Sequence, residues 1–338
     1  MVRATFDKIF DSIDIGRAQE DSNTYTLGVI GKHNVVLAYM PGMGSTSATT
    51  VATGLKASYC NIKIAFIVGI CGASPVNINT NTRQDIVLGD CIVSTAVVQY
   101  DFGRQHPGQF IRKDDIEDVL GRPNPMTRGF LAKLQSSQDL KTRLAFHLKL
   151  LQQKKPEASY PGRHKDHLYS PTYLHKHHGT DPVCNECINE IGICTRNCDA
   201  IGCEEKYLIR RSNSEGQSSD SEIDCVPGLH FGRYGSANTV LKSGSDRDQL
   251  VEADRLIAFE MEAAGVWDIL PTVIVKSACD YADSHKSKEY GRWGIRSAKV
   301  IHFKDIPFKD ILYDPVPSKQ TFRRTRNQAT GARASVTG

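Results

Sequence analysis

The sequence lacks several features that would place it in a well-defined class of proteins. Its 338 residues contain no uninterrupted apolar stretch of the roughly 18 residues that a transmembrane helix needs. The first residues alternate charged with apolar side chains, so no secretory signal peptide is predicted. Neither a GxGxxG dinucleotide motif nor a phosphate-binding loop with its lysine is present. We therefore expect a cytoplasmic protein that does not cross a membrane and does not bind a dinucleotide.

A strong charge of one sign is also lacking. The chain has 42 Lys and Arg against 38 Asp and Glu, a net charge of +4. Five of the basic residues and no acidic one lie in residues 318–338, which leaves 37 basic against 38 acidic residues in the rest. The body of the protein is therefore neutral, and we interpret residues 312–338 as a disordered basic tail. Binding of nucleic acid is not expected, because Phe322 is the only aromatic residue among the basic residues of 318–338.

Apolar residues make up 40% of the chain and charged residues 24%, as in ordinary globular domains. Apolar patterns predict strands at residues 25–30, 34–40, 62–70, 86–95, 229–231, 256–259 and 272–278. Helical periods are predicted near residues 45–59, 128–134 and 140–151, and a short helix at residues 262–270. This alternation indicates a single α/β domain with a mixed β-sheet flanked by helices, over residues 24–311. Residues 1–23 are predicted to form a helical piece, and residues 104–228 a polar insertion.

Carboxylates stand where two of the predicted strands end. Residues 259–265 (FEMEAAG) place Glu260 and Glu262 at a junction between a strand and a helix, before small residues that permit close packing. The strand at residues 272–278 is followed closely by Asp280. Ligands of α/β sheets bind at the carboxyl ends of the strands. Both ends are therefore candidates for one site.

These motifs resemble the nucleoside phosphorylase/nucleosidase superfamily, which includes purine nucleoside phosphorylase, uridine phosphorylase and methylthioadenosine/S-adenosylhomocysteine nucleosidase. The resemblance rests on residues 68–72 (VGICG), 260–265 (EMEAAG) and 277–280 (SACD). Residues 231–238 (FGRYGSAN) look like the base-site segment of the family. Residues 98–103 (VQYDFG) and 280–286 (DYADSHK) are similar to its fungal branch, which is often fused to signalling or repeat domains. The first strand and the closing helix of the family have no match in this sequence.

The resemblance implies cleavage of the N-glycosidic bond of a purine nucleoside. Glu262 would accept hydrogen bonds from the ribose hydroxyls, and Asp280 would protonate the purine base at N7. The residues implied in ribose or base binding are Met261, Glu260, Gly72, Phe231, Ser236 and Asn238. The resemblance also implies a small-molecule nucleoside as ligand, a homo-oligomer, and no cofactor for catalysis.

The attacking group separates the subclasses of this family. A phosphorylase usually holds phosphate with an arginine and a hydroxyl residue on either side of the valine-glycine pair, where this chain has Ile67 and Ile70. Apolar side chains do not compensate for the desolvation of a dianion, so hydrolysis by water is predicted. Two alternatives stay open: a phosphorylase that recruits phosphate through other residues, and a degenerate module that binds nucleosides or only oligomerises.

Six of the ten cysteines lie between residues 184 and 225. Cys184 and Cys187 have the spacing of a metal knuckle, and Cys194 and Cys198 would complete the four ligands of a structural zinc ion. Cys203 lies close by, and His175, His177 and His178 are alternative ligands. Thiols without a metal, whether reduced or variably oxidised, are the other possibility.

Overall fold

A computed structural model describes most of the chain before residue 286. The described residues are 2–10, 17–80, 84–154, 165–178, 194, 196–211 and 227–285. The predicted basic tail and the region of the closing helix lie outside them, as do Cys184 and Cys187. Among the described residues, none of the helices combines the length and the apolar character that crossing a bilayer requires.

The described residues form twelve strands. These are β1 (Lys8–Phe10), β2 (Tyr25–Ile30), β3 (His33–Ala38), β4 (Ala65–Ala73), β5 (Val76–Asn77), β6 (Gln84–Asp85), β7 (Cys91–Gln99), β8 (Gly103–His106), β9 (Gln109–Arg112), β10 (Leu229–Ser236), β11 (Leu256–Glu260) and β12 (Thr272–Asp280). The predicted hairpin is confirmed, since β2 and β3 pair antiparallel around the turn at Gly31.

The same residues form five α-helices. These are α1 (Ser45–Ser58), α2 (Pro125–Ser136), α3 (Leu140–Lys154), α4 (Cys198–Ile201) and α5 (Gly244–Asp254). The short helix predicted at residues 262–270 is reduced to one 3₁₀ turn, Ala263–Gly265. Gly265 explains the close packing there, because a Cβ at this position would overlap the carbonyl oxygen of Ser45 in α1.

A mixed sheet of five strands forms the centre of the molecule, as the sequence predicts, and it closes into a barrel in the order β10-β11-β4-β12-β7. Strand β10 is parallel to both of its neighbours, and β12 is parallel to β4. The pairs β11–β4 and β12–β7 are antiparallel. All nine residues of β12 are buried, which accounts for its nearly continuous apolar sequence.

The predicted N-terminal helical piece is wrong for the residues that the structure describes. A 3₁₀ turn, Val2–Thr5, precedes strand β1, which adds to the hairpin by pairing with β2. The helical spacing of the apolar residues is overridden because β2 offers an unpaired edge. Gly28 has no side chain, so the Phe6 ring and the Lys8 carbonyl can approach its Cα. This small sheet is separate from the barrel.

The polar insertion contributes to the main core through two amphipathic helices. Phe130 and Leu134 of α2 and Leu144 of α3 pack with barrel residues such as Val93 and Val273. The insertion is therefore attached to the same domain as the barrel, and its first helices cover one side of it.

Candidate active site

The strands that carry the predicted carboxylates meet at Gly72. This residue of β4 pairs with Phe259 on one side and with Asp280 on the other. A Cβ at Gly72 would lie 3.0 Å from Oδ1 of Asp280 and 3.0 Å from Cβ of Ala282. Glycine is therefore needed for this close approach, and the last residues of β11 and β12 lie on either side of it although the two strands run in opposite directions.

Glu260 is buried at the end of β11, and its carboxylate stabilises the turn that follows this strand. Its carboxylate accepts hydrogen bonds from the backbone N–H groups of Glu262 and Ala263, both at 3.0 Å. It also accepts one from Nζ of Lys276 at 2.9 Å. These contacts satisfy a carboxylate whose side chain is 0% exposed, and they hold Glu262 in place.

Glu262 lies beside the same lysine but remains partly accessible. Its Oε2 accepts a hydrogen bond from Nζ of Lys276 at 2.6 Å, and its side chain is 19% exposed. Burial raises the pKa of Glu262, but the charge and the hydrogen bond of Lys276, with backbone hydrogen bonds at Gly44 and Met261, lower it further. The net effect is a pKa below the ordinary value, so this carboxylate is ionised at neutral pH.

Lys276 is a functional residue that the motifs did not reveal. Burial lowers its pKa, but Glu260 and Glu262 raise it more, so the ammonium keeps its charge in the core. Two carboxylates and one ammonium leave a net negative charge at the partly accessible Glu262. The signal in the sequence was a lysine inside the apolar strand TVIVKSA, because a buried charge requires a partner.

Asp280 is buried at the end of β12, with 7% of its surface exposed. Oδ1 accepts a hydrogen bond from the backbone N–H of Ala282 at 2.9 Å, and the Cys279 thiol lies 3.4 Å from Oδ2. Ala282 has a φ of 52°, in the left-handed region that non-glycine residues seldom adopt. This tight turn keeps the carboxyl group at the strand end.

Ser236 and Asn238 organise the neighbouring rim. Ser236 is fully buried, and its Oγ accepts the backbone N–H of Ala264 at 3.0 Å. Oδ1 of Asn238 accepts hydrogen bonds from the N–H of Ser45 at 2.9 Å and from its hydroxyl at 2.8 Å. The backbone N–H of Asn238 donates to Asp101 at 2.7 Å. Asn238 therefore joins the start of α1 to the loop after β7.

The structure does not bring every predicted residue to this edge. Met261 is half-buried between the two glutamates of its motif. Phe231 packs against the apolar cluster that contains Val93, five residues before the end of β10. Its neighbour His230 is a buried strand histidine whose Nε2 lies 2.8 Å from Oδ2 of Asp90.

The predicted metal ligands are only partly among the described residues. Cys194 and Cys198 are described, whereas Cys184 and Cys187 are not. The metal-binding side chains that lie together in the described part of the chain are His175, Cys203 and His285.

Comparison with known proteins identifies the fold. No protein-family model matches the chain. A methylthioadenosine/S-adenosylhomocysteine nucleosidase of Helicobacter pylori superposes with a TM-score of 0.50 at 13% identity, over 92% of each chain. The chain has the nucleoside phosphorylase-like fold. A nucleosidase of Neisseria meningitidis, solved with methylthio-immucillin-A, gives a TM-score of 0.48 at 11% identity, covering 89% of this chain and 90% of that one.

A longer fungal protein is related to this nucleoside phosphorylase-like chain in sequence. The nucleotide-binding leucine-rich repeat (NLR)-like protein of Hyaloscypha variabilis is 28% identical over 283 residues, which are 81% of this chain. The match covers 24% of that protein, so the chain spans about a quarter of its length. This relative is consistent with the fungal branch that the sequence resembles.

Proposed function

We propose that the chain is a nucleosidase that hydrolyses the N-glycosidic bond of a purine nucleoside. The observation that carries this proposal is that the last residues of β11 and β12 flank Gly72 of β4, with Glu262 two residues after β11 and Asp280 as the last residue of β12. Cleavage of this bond builds positive charge on the sugar and electrons on the leaving base. The two carboxyl groups suit these two demands.

Glu262 takes the sugar side in this mechanism. Its carboxylate is ionised, partly exposed, and fixed by Lys276 through Oε2. The remaining lone pairs can accept hydrogen bonds from vicinal ribose hydroxyls. The net negative charge of the Glu260–Lys276–Glu262 group favours a cationic sugar, since a fixed charge stabilises an opposite charge that develops in the transition state.

Asp280 takes the base side. A general acid delivers a proton to the purine N7, so its carboxyl group must be held within hydrogen-bond reach of that atom. Asp280 is almost fully enclosed at the end of β12. Its turn with Ala282 fixes the carboxyl group, so that the proton is delivered from one position.

Water is the proposed attacking group. Ile67 packs against the apolar clusters beneath the sheet, and Ile70 is also an apolar residue of β4. Neither can hold phosphate at the positions where the family's phosphorylases do. A homo-oligomer and a cytoplasmic location belong to this proposal as expectations from the resemblance.

A nucleoside-binding module without turnover is the second candidate. One observation favours it: Lys276 occupies an oxygen of Glu262 at 2.6 Å, which leaves less of this carboxylate for a ribose. The relative in Hyaloscypha variabilis is an NLR-like protein about four times as long as the matched region. A domain in such a protein can act by binding alone.

The experiment is release of free base from a panel of purine nucleosides, measured by chromatography with and without inorganic phosphate. We expect phosphate-independent release that falls at least tenfold in Asp280→Asn and in Glu262→Gln. Glu252→Gln, an exposed carboxylate of α5, is the matched control and should retain activity. Strict dependence on phosphate would contradict hydrolysis. Nucleoside binding without release would favour the second candidate.

A further inference from the structure

A cluster of sulfur and imidazole groups lies outside the candidate active site. His175, Cys203 and His285 each offer one ligand atom within 4.8 Å of the others. Cys198 is adjacent to this group, with its Sγ 3.6 Å from Nδ1 of His175. His175 is 4% exposed and His285 9% exposed, so the cluster is enclosed by protein.

The hydrogen bonds of His175 show which of its ring nitrogens can act as an acceptor toward the two cysteine sulfur atoms. Its Nε2 lies 2.8 Å from the carbonyl oxygen of Arg196, which can only accept, so Nε2 carries the proton. In a neutral ring, Nδ1 then presents a lone pair to Cys198 and Cys203. Metal-bound histidines are held in this way, with the second ring nitrogen donating to a backbone carbonyl.

The distances match those of a metal site. Sγ of Cys198 and Sγ of Cys203 both lie 3.6 Å from Nδ1 of His175. Zinc bonds of about 2.3 Å to sulfur and about 2.0 Å to nitrogen, at a tetrahedral angle, place the two ligand atoms about 3.5 Å apart. The two sulfur atoms are therefore held from Nδ1 of His175 at the separation that a central ion would impose.

His285 supplies the observation that points to a ligand. Its Nε2 is buried and has no hydrogen-bond partner among the described residues. The ring is fixed by stacking on Tyr169, with centroids 4.2 Å apart. A buried polar atom without a partner is costly, and a metal ion would satisfy it.

We propose that His175, Cys198, Cys203 and His285 bind a structural zinc ion. Two cysteines and two histidines in a tetrahedral arrangement suit zinc best among the common divalent ions. Binding releases the two thiol protons, and two thiolates balance the charge of Zn²⁺. The site keeps Cys198 of the predicted set and His175 of its alternative ligands, and it differs by including Cys203 and His285, the latter from a distant part of the chain.

The zinc ion would fasten the polar insertion to the segment that follows Asp280. Three ligands belong to the insertion, and His285 lies five residues after Asp280. The backbone N–H of His175 already donates to Oγ of Ser284 at 3.0 Å, so the two segments touch at this point. A zinc ion at this point would therefore connect the insertion with the residues that follow Asp280.

The test is the zinc content of the purified, reduced full-length chain. The chain is dialysed against zinc chloride and then against buffer, and its zinc is measured by inductively coupled plasma mass spectrometry. We expect about one zinc ion per chain. The variants Cys198→Ser and Cys203→Ser should each lose at least nine-tenths of it, while Cys60→Ser, at an exposed cysteine, should retain it. Cys184→Ser and Cys187→Ser should also retain it.

Retention of zinc by Cys198→Ser and Cys203→Ser, or its loss from Cys184→Ser or Cys187→Ser, would overturn the assignment. Substitution of cobalt in the unmutated chain serves as the second measurement if a variant does not fold. We expect the intense visible bands of tetrahedral cobalt together with thiolate charge-transfer bands. A weak octahedral spectrum would also overturn the proposal.

Hydrogen exchange tests whether the zinc ion connects the insertion with the segment that follows Asp280. Removal of zinc by a chelator should increase deuterium uptake in residues 196–211 and in residues 281–285 together, while uptake in β4 should stay unchanged. An unchanged uptake at residues 281–285 in a zinc-free chain would show that the ion does not connect the two segments.

Discussion

Two regions of the molecule enclose chemically reactive side chains. The regions differ in the partners that the polar atoms of these side chains have. At the strand ends, Lys276 forms ion pairs with Glu260 and Glu262 at 2.9 and 2.6 Å. In the cluster of histidines and cysteines, Nε2 of His285 has no hydrogen-bond partner within the described part of the chain.

The difference shows where each region draws its stability. The strand-end group is complete within the barrel, because both signs of charge are present in the same fold. The cluster of His175, Cys198, Cys203 and His285 consists of side chains that suit zinc, and we propose that an ion from solution is their partner. The first region depends on its own side chains, whereas in our proposal the stability of the second would depend on the availability of metal.

The largest expected effect comes from removal of the cation at the strand ends. Lys276→Met leaves the buried Glu260 without its cation beside the partly exposed Glu262, and loss of one partner of a buried ion pair costs about 3–5 kcal/mol. Denaturation in urea measures the free energy of unfolding. The triple variant Lys276→Met/Glu260→Gln/Glu262→Gln should recover part of the lost stability, because it also removes the two carboxylates. A cost below about 1 kcal/mol for Lys276→Met alone would contradict the role of Lys276 as the partner of both glutamates.

A smaller loss is expected where the backbone approaches Asp280. Gly72→Ala places a Cβ 3.0 Å from two atoms of the neighbouring turn, so we expect a destabilisation of about 1–3 kcal/mol. Gly69→Ala on the same strand is the matched control, because its Cβ would meet nothing closer than Cε of Lys276 at 3.8 Å. Thermal unfolding of the two variants should separate them. Equal midpoints would show that Gly72 is not needed for this approach.

The contribution of the Lys276–Glu262 ion pair to the free energy of unfolding should decrease gradually as the pH is lowered. The pKa of Glu262 in the folded state lies below the ordinary value of 4.5, so the folded state binds this proton less readily than the unfolded state. The stabilisation is present above the ordinary pKa and is lost as the pH falls through the folded-state pKa. Unfolding free energies of the wild type and Glu262→Gln should therefore converge below pH 4.5. A constant difference across this range would be evidence against the ion pair.

The smallest effect is expected at the exposed rim. Asn238→Ala removes the hydrogen bonds to Ser45, which should cost about 0.5–1.5 kcal/mol. Asn238→Asp is the matched control for the acceptor, because it retains an oxygen for the N–H of Ser45, although it adds a charge near Asp101. Chemical denaturation is again the measurement. A loss as large as that of Lys276→Met would mean that the rim carries more of the stability than the buried group.

The sequence by itself determined the α/β class and the two strand ends that carry the carboxylates. The strands β4, β11 and β12 each begin with a run of mainly apolar residues, so their assignment needed no tertiary information. The motif EMEAAG predicted close packing, and Gly265 against Ser45 confirms it. Local patterns of this kind are readable because each depends on neighbours in the chain.

Only the tertiary structure decided which partners these residues meet. Phe6 and Phe10 have helical spacing, yet β1 is a strand, because the free edge of the hairpin offers hydrogen bonds that a short helix cannot match. Lys276 joins two glutamates from another strand. His285 reaches Cys203 across 82 residues of sequence. Contacts between distant segments depend on strand register and loop closure, which leave no periodic trace in the sequence.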